Sequence, residues 1–253
     1  MLKSFRRLPS LVSEDPSRPA PRPALRAVLI DLDGTLMDTA PDLALAANRM
    51  RAEFALPPLT TARIASFVGK GADVLVHRAL TDRLDGTVDA ATFARGRAAF
   101  FAHYRAVNGT AAVVFPGAAD ALVRLRAAGL VLACVTNKPR EFTLSLLART
   151  GLAAHWSVVV AGDDVREKKP HPDLLLAALR ELNTAASQAV MIGDSSNDAL
   201  ASAAAGLRAI LVATGYNEGE PVASLAGRAG VDVIVPTLAH AAEVILQRLA
   251  IQA

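Results

Sequence analysis

Short apolar runs and longer stretches with apolar residues three and four positions apart alternate along most of this chain, and their order predicts the architecture. Arg26-Ala-Val-Leu-Ile-Asp31 is a continuous apolar run that ends in polar residues and Gly34, the pattern of a buried parallel strand. From Asp38 to about Asn108 the helical spacing takes over, with breaks at Pro57-Pro58, Val68-Gly-Lys-Gly71 and Asp85-Gly86, and no strand pattern is seen. From Phe115 onward the two patterns take turns. They predict helix 117–128, strand Leu130–Val135, helix 139–149, strand 157–161, helix 171–182, strand Ala189–Ile192, helix 197–205, strand 208–212, a short strand 231–235 and a last helix. Strands separated by helices of this length imply right-handed crossovers, so the expected fold class is α/β: a doubly wound, mainly parallel sheet with helices on both faces. The helical block interrupts that series and reads as an insertion. The expected organisation is an α/β core of residues 26–38 and 113–253, a small helical domain at 39–112, and a disordered extension at 1–25.

Composition changes this picture little; 253 residues suffice to bury a sizeable core in a main domain with a smaller one inserted. The location of the charge matters more. The net charge of +3 sits entirely in the first 25 residues, where Lys3, Arg6, Arg7, Arg18 and Arg22 face Glu14 and Asp15. No basic patch is implied for the folded body, and no nucleic-acid partner is expected. The acidic pair and prolines Pro9, Pro16, Pro19 and Pro21 fit a disordered extension better than an organelle transit peptide. No apolar run approaches the roughly 18 residues that span a bilayer, so no membrane partner is expected. The single cysteine, Cys134, cannot form an internal disulfide, and no paired Cys/His spacing suggests zinc; a reducing cytoplasm is the expected setting.

Candidate chemistry gathers where predicted strands end. Asp31-Leu-Asp33-Gly-Thr35 lies at the carboxyl end of the first strand, the edge at which open α/β sheets bind ligands. Carboxylates two residues apart on extended backbone point to the same side, and two nearby anions are costly unless a cation lies between them or one holds a proton. Magnesium, held by hard oxygen ligands, would meet the first need, and a proton on Asp33 could pass to a leaving alcohol. Alternatively, Asp33 simply caps a turn before Gly34. Gly193-Asp194-Ser-Ser-Asn-Asp198 follows another strand, which would bring Asp194 beside Asp31; Asp198 either joins the cluster or serves as a helix cap. Thr136-Asn137 ends a third strand, and Lys169 lies in Lys168-Lys-Pro-His-Pro172. A hydroxyl, helix-start amides and a lysine can hold and neutralise phosphate oxygens, although each also has an ordinary structural use as a cap or a solvated side chain.

Together, and in this order, the four segments resemble the haloacid dehalogenase superfamily, whose phosphatases carry DxDGT, a strand-end Thr or Ser, a loop Lys and GDxxxD. The resemblance runs from about Arg26 to the C-terminus. It implies Asp31 as nucleophile and Asp33 as general acid and then base. It also implies Mg2+ on the Asp31 side chain, the Asp33 carbonyl and Asp194 with Asp198 in support, and a phosphate held by Thr136 and Lys169. Because Asp33 is retained, phosphoester hydrolysis is favoured over dehalogenation. The block at 39–112 then corresponds to a lid. Phe67-Val-Gly-Lys-Gly-Ala-Asp-Val-Leu75, Thr39-Ala-Pro-Asp-Leu43, Thr136-Asn-Lys-Pro139, Gly162-Asp-Asp-Val165 and Gly215-Tyr-Asn217 are similar to bacterial phosphoglycolate phosphatases. That likeness implies a small phosphorylated metabolite, 2-phosphoglycolate, as substrate, with Asn137 among the binding residues. Lys70, the one lysine of the block, is the candidate partner for the substrate carboxylate, unless it is only a solvated loop side chain. Sugar phosphates, pyrophosphate, phosphomutase chemistry and a non-catalytic phosphate-binding protein remain alternatives. A further rival is Cys134-Val-Thr-Asn-Lys-Pro-Arg140, which has the C-x5-R spacing of cysteine phosphatases. It lacks the glycines of such a loop, and Pro139 removes an amide donor.

Overall fold

The computed structural model describes residues 24–252. Most of the proposed extension, residues 1–23, therefore lies outside the described residues. Strand β1 (Ala27–Ile30) is followed by a two-residue strand β2 (Met37–Asp38) and four helices: α1 (Ala40–Glu53), α2 (Thr61–Ala65), α3 (Ala72–Thr81) and α4 (Ala90–Val107). The chain returns through β3 (Val113–Val114) and α5 (Ala118–Ala127) to β4 (Val131–Val135), α6 (Arg140–Arg149) and β5 (Val158–Val160). It ends with α7 (Asp173–Glu181), β6 (Ala189–Gly193), α8 (Ser196–Ala205), β7 (Arg208–Val212), β8 (Val231–Val235) and α9 (Leu238–Gln252). Each strand and helix expected from Phe115 onward is present, with ends shifted by at most two residues. None of the described helices is long and apolar enough to cross a membrane.

Six strands form a sheet in the order β5-β4-β1-β6-β7-β8, and every pair is parallel. The fold is thus a doubly wound, Rossmann-like α/β sheet. Strand β1 shows why helices cover both faces. Its alternate residues Val28 and Ile30 pack with Leu122 of α5 and Ala241 of α9, whereas Ala27 and Leu29 pack with Leu175 of α7 and Ala201 of α8. With no exposed face, the strand has to be apolar throughout. The chain winds outward from β1 through β4 to β5, then crosses back to β6 on the other side of β1. That reversal opens a crevice at the carboxyl ends of β1, β4 and β6.

Helices α1–α4 form a separate apolar cluster around Met50, Ile64, Phe67, Val76, Phe100 and Tyr104, joined by Phe142 from α6. Local signals set their ends. The Thr60 hydroxyl accepts the Arg63 N–H at 3.1 Å, and Asp89 accepts the Ala91 and Thr92 N–H groups at 3.0 Å. The two connections to the sheet pair with each other, Met37 opposite Val114 and Asp38 opposite Val113 in an antiparallel ribbon. Two residues carry no readable period, so only their meeting in space makes them strands. Asp42, fully buried near the start of α1, ties the returning connection by accepting from the Gly109, Ala111 and Ala112 amides and the Thr110 hydroxyl.

Candidate active site

The crevice gathers the strand-end residues. Asp31 follows β1, and its Oδ1 accepts the Leu32 N–H at 2.7 Å and lies 3.0 Å from Lys169 Nζ. Its Oδ2 has no hydrogen bond among the described residues and is left for a ligand. Asp194 follows β6; Thr35 donates its hydroxyl to one oxygen at 2.8 Å and the Tyr216 N–H reaches the other at 2.9 Å. Carboxylate oxygens of Asp31, Asp194 and Asp198 lie within 4.8 Å of one another, and all three residues are buried. Burial, reinforced by the neighbouring Asp198, pushes the Asp194 carboxyl up to about 7; burial also raises Asp31 well above the usual range, against the pull of Lys169. Closely spaced hard oxygens that resist joint ionisation fit a divalent cation such as magnesium.

Two glycines allow this approach. Gly34 has φ +84°, and a Cβ there would sit 2.7 Å from Asp194 Oδ2; a Cβ on Gly215 would overlap the Asp194 carboxylate outright.

Lys169 runs beneath the cluster. Its Nζ donates to Asp198 Oδ1 at 2.7 Å and to the Val135 carbonyl at 2.9 Å, besides meeting Asp31. Asp198 both caps and positions. Its Oδ2 accepts from the Asp194 and Ser195 N–H groups and the Ser195 hydroxyl, a capping box for α8, while its Oδ1 fixes Lys169. Both oxygens are thereby engaged. Asp33 faces the cleft, and its Oδ1 accepts from Thr39 Oγ1 at 2.6 Å and Lys138 Nζ at 2.9 Å; its Oδ2 has no hydrogen bond among the described residues. Thr136 also lines the cleft.

Two expected residues are otherwise engaged. The Asn137 side chain is spent within the protein: its Oδ1 accepts the Lys169 N–H, and its Nδ2 donates to the carbonyls of Lys169 and Gly69. It sets the lysine loop and links the sheet to the helical block. Lys70 does not line the cleft; its side chain is 41% exposed and lies 3.2 Å from Glu218. Cys134 is fully buried in β4, where burial pushes the thiol far up, and Arg140 pairs with Asp164. The C-x5-R reading therefore has neither an accessible thiolate nor an arginine aimed at it.

Several cleft residues carried no assigned role in the sequence reading. Lys138 bonds Asp33, Tyr104 comes from α4, and the Tyr216 hydroxyl accepts from the Thr39 and Ala40 N–H groups while donating to Asp38. Lys138 and Tyr216 were legible as members of the quoted segments Thr136–Pro139 and Gly215–Asn217. Tyr104 had no such signal. The apolar side chains of Leu43, Val68, Leu75 and Phe100 complete the wall of the cleft.

With strand-end carboxylates around a buried lysine at the switch point, the arrangement is that of an acid-rich hydrolase site on a Rossmann-like sheet. Residues 28–212 match the haloacid dehalogenase-like hydrolase family, and the chain belongs to it. A phosphoglycolate phosphatase from Thiobacillus denitrificans is 41% identical over 218 residues, 86% of this chain and 94% of the relative. A crystal structure described as a predicted phosphoglycolate phosphatase from Haemophilus somnus superposes with a TM-score of 0.79 at 28% identity, covering 87% of this chain and 97% of that one. CbbY from Rhodobacter sphaeroides, solved in complex with phosphate, gives 0.69 at 28% identity over 85% and 95% of the two chains.

Proposed function

We propose that the chain hydrolyses 2-phosphoglycolate to glycolate and phosphate, with Asp31 as nucleophile and Mg2+ as cofactor. Phosphoric monoester hydrolysis follows from the family and from relatives named phosphoglycolate phosphatase. The observation that carries the assignment of roles is the asymmetry of Asp31, whose carboxylate lies in a cluster with that of Asp194: Oδ1 is pinned by Lys169 and an amide, and Oδ2 has no hydrogen bond among the described residues. A carboxylate so held attacks phosphorus with little reorganisation. The bond from Asp31 to phosphorus forms as the ester oxygen leaves, and a proton from Asp33 passes to that oxygen. Asp33 then takes a proton from water, which attacks the aspartyl phosphate, releasing phosphate and restoring Asp31. Asp31, the Asp33 carbonyl and Asp194 would hold magnesium, with Asp198 acting through Lys169 and the loop amides. When bound, the ion would neutralise carboxylate and phosphate charge that would otherwise repel.

Residues 39–112 serve in this reading as a lid that excludes water and shapes the far end of the cleft. Asn137 holding Gly69, and Glu218 facing Lys70 and Arg78, support that role. A second reading, hydrolysis of a sugar phosphate, draws on the likeness to CbbY, which has also been solved with xylulose-1,5-bisphosphate. The deciding experiment is phosphate release from 2-phosphoglycolate, sugar phosphates and pyrophosphate, with Mg2+ or with chelator. The expected result is a preference for 2-phosphoglycolate, dependence on the metal, and loss of turnover in Asp31→Asn. Turnover that survives Asp31→Asn would reject the nucleophile, and a preferred sugar phosphate would favour the second reading.

A further inference from the structure

A substrate with a carboxylate at one end and a phosphate at the other needs two cationic or donor regions. Lys169 is committed to the first, between Asp31 and Asp198. Among the residues lining the cleft, Lys138 is the only one with a lysine, arginine or histidine side chain. Its side chain is 3% exposed, and its one hydrogen bond from Nζ within the described residues goes to Asp33, so two ammonium protons remain. Tyr104 reaches the same place from α4: its ring centroid is 4.9 Å from Lys138 Nζ, the residue is 1% exposed, and its hydroxyl has no hydrogen-bond partner among the described residues other than the adjacent Lys138 ammonium. A buried hydroxyl without a partner is costly and is ordinarily satisfied by water or a ligand. Tyr104 is one of the residues lining the cleft, and its hydroxyl is buried behind that wall beside the Lys138 ammonium.

We propose that Lys138 and Tyr104 form the subsite for the substrate's carboxylate, the ammonium bridging Asp33 and the acid group while the phenol donates to the acid group. The inference rests on the hydrolytic reading above and adds to it the group that selects an acidic phosphoester. The neighbouring apolar side chains of Phe100 and Leu75 lower the local polarity, which strengthens charged hydrogen bonds. A phosphoester with a neutral end would leave the Tyr104 hydroxyl unpaired, and the site would reject it for that reason.

The test is calorimetric binding, in Mg2+, of 3-phosphonopropionate and propylphosphonate, two non-hydrolysable probes of similar length that differ in the carboxylate. Wild-type protein should bind the acidic probe about 10- to 100-fold more tightly, the range for hydrogen bonds to a charged group. Lys138→Met should remove that preference, and Tyr104→Phe, which leaves the Lys138–Asp33 pair in place, should reduce it several-fold. Equal affinity of wild-type protein for both probes, or a preference that survives both substitutions, would overturn the subsite. Failure of the hydrolytic reading looks different: the acidic probe is preferred but 2-phosphoglycolate is not turned over. Turnover without a preference rejects the subsite alone.

Discussion

Replacing Lys169 by methionine keeps the length of the side chain and removes the charge that lies between two buried carboxylates. Its ammonium lies 3.0 Å from Asp31 and 2.7 Å from Asp198, and neither carboxylate meets another cation within 4 Å among the described residues. The Val135 carbonyl loses its donor as well. Removing one partner of a buried ion pair costs about 3–5 kcal/mol, which for a chain of this size lowers Tm by roughly 6–20 °C. Part of the cost is escaped by protonation. Without Lys169 the Asp31 carboxyl, already raised by burial, is pushed further toward its protonated form. A protonated Asp31 is a poor nucleophile, so kcat should fall at least 10²-fold on an aryl phosphate in Mg2+. Adding Asp198→Asn to Lys169→Met should recover part of the stability, because it removes one uncompensated charge, but none of the activity. Urea denaturation and steady-state turnover of the two single variants and the double variant measure both arms. A Lys169→Met protein within 1 kcal/mol of wild type would refute the reasoning, as would a double variant no more stable than Lys169→Met.

Stability without metal should depend on pH with a defined sign. The folded-state pKa of Asp194 is raised to about 7 from its unfolded value near 4, so the folded protein binds the extra proton between those limits. This contribution is complete below about pH 4 and is lost as pH rises through about 7. Urea midpoints in chelator should therefore fall from pH 5 to pH 8, less so in Asp194→Asn, and Mg2+ should offset the fall; an Asp194→Asn slope equal to wild type would show that Asp194 is not the group responsible. Gly215→Ala places a methyl in the Asp194 carboxylate. It should raise the Mg2+ concentration needed for half-maximal activity at least ten-fold, and unchanged metal dependence would mean the carboxylate moves freely. Cys134→Ala should keep kcat within two-fold, since the thiol is buried in β4; a loss above ten-fold would reopen the cysteine mechanism.

The order of elements and the nature of the chemistry were legible in the chain. An apolar run such as Ala27–Ile30 can be satisfied only between two helical layers, and the same runs end at Asp31, Thr136 and Asp194. The local rules of strand burial and strand-end placement thus brought the fold class and most of the site into view. What the sequence could not order was which side chains meet once the helical block lies over the sheet. Lys70 was the lysine expected at the substrate and Lys138 carried no assigned role, yet the first sits outside beside Glu218 and the second is buried against Asp33 and Tyr104. Asn137, expected among the binding residues, lines the cleft, and its side chain is engaged in holding the Lys169 loop and Gly69. The pairing of β2 with β3 and the Asp42 knot likewise join segments far apart in the chain. Periodicity and spacing report what a segment does with its own neighbours; the direction of a side chain across the cleft is set by long-range packing between α1–α4 and the sheet, which only the tertiary structure fixes.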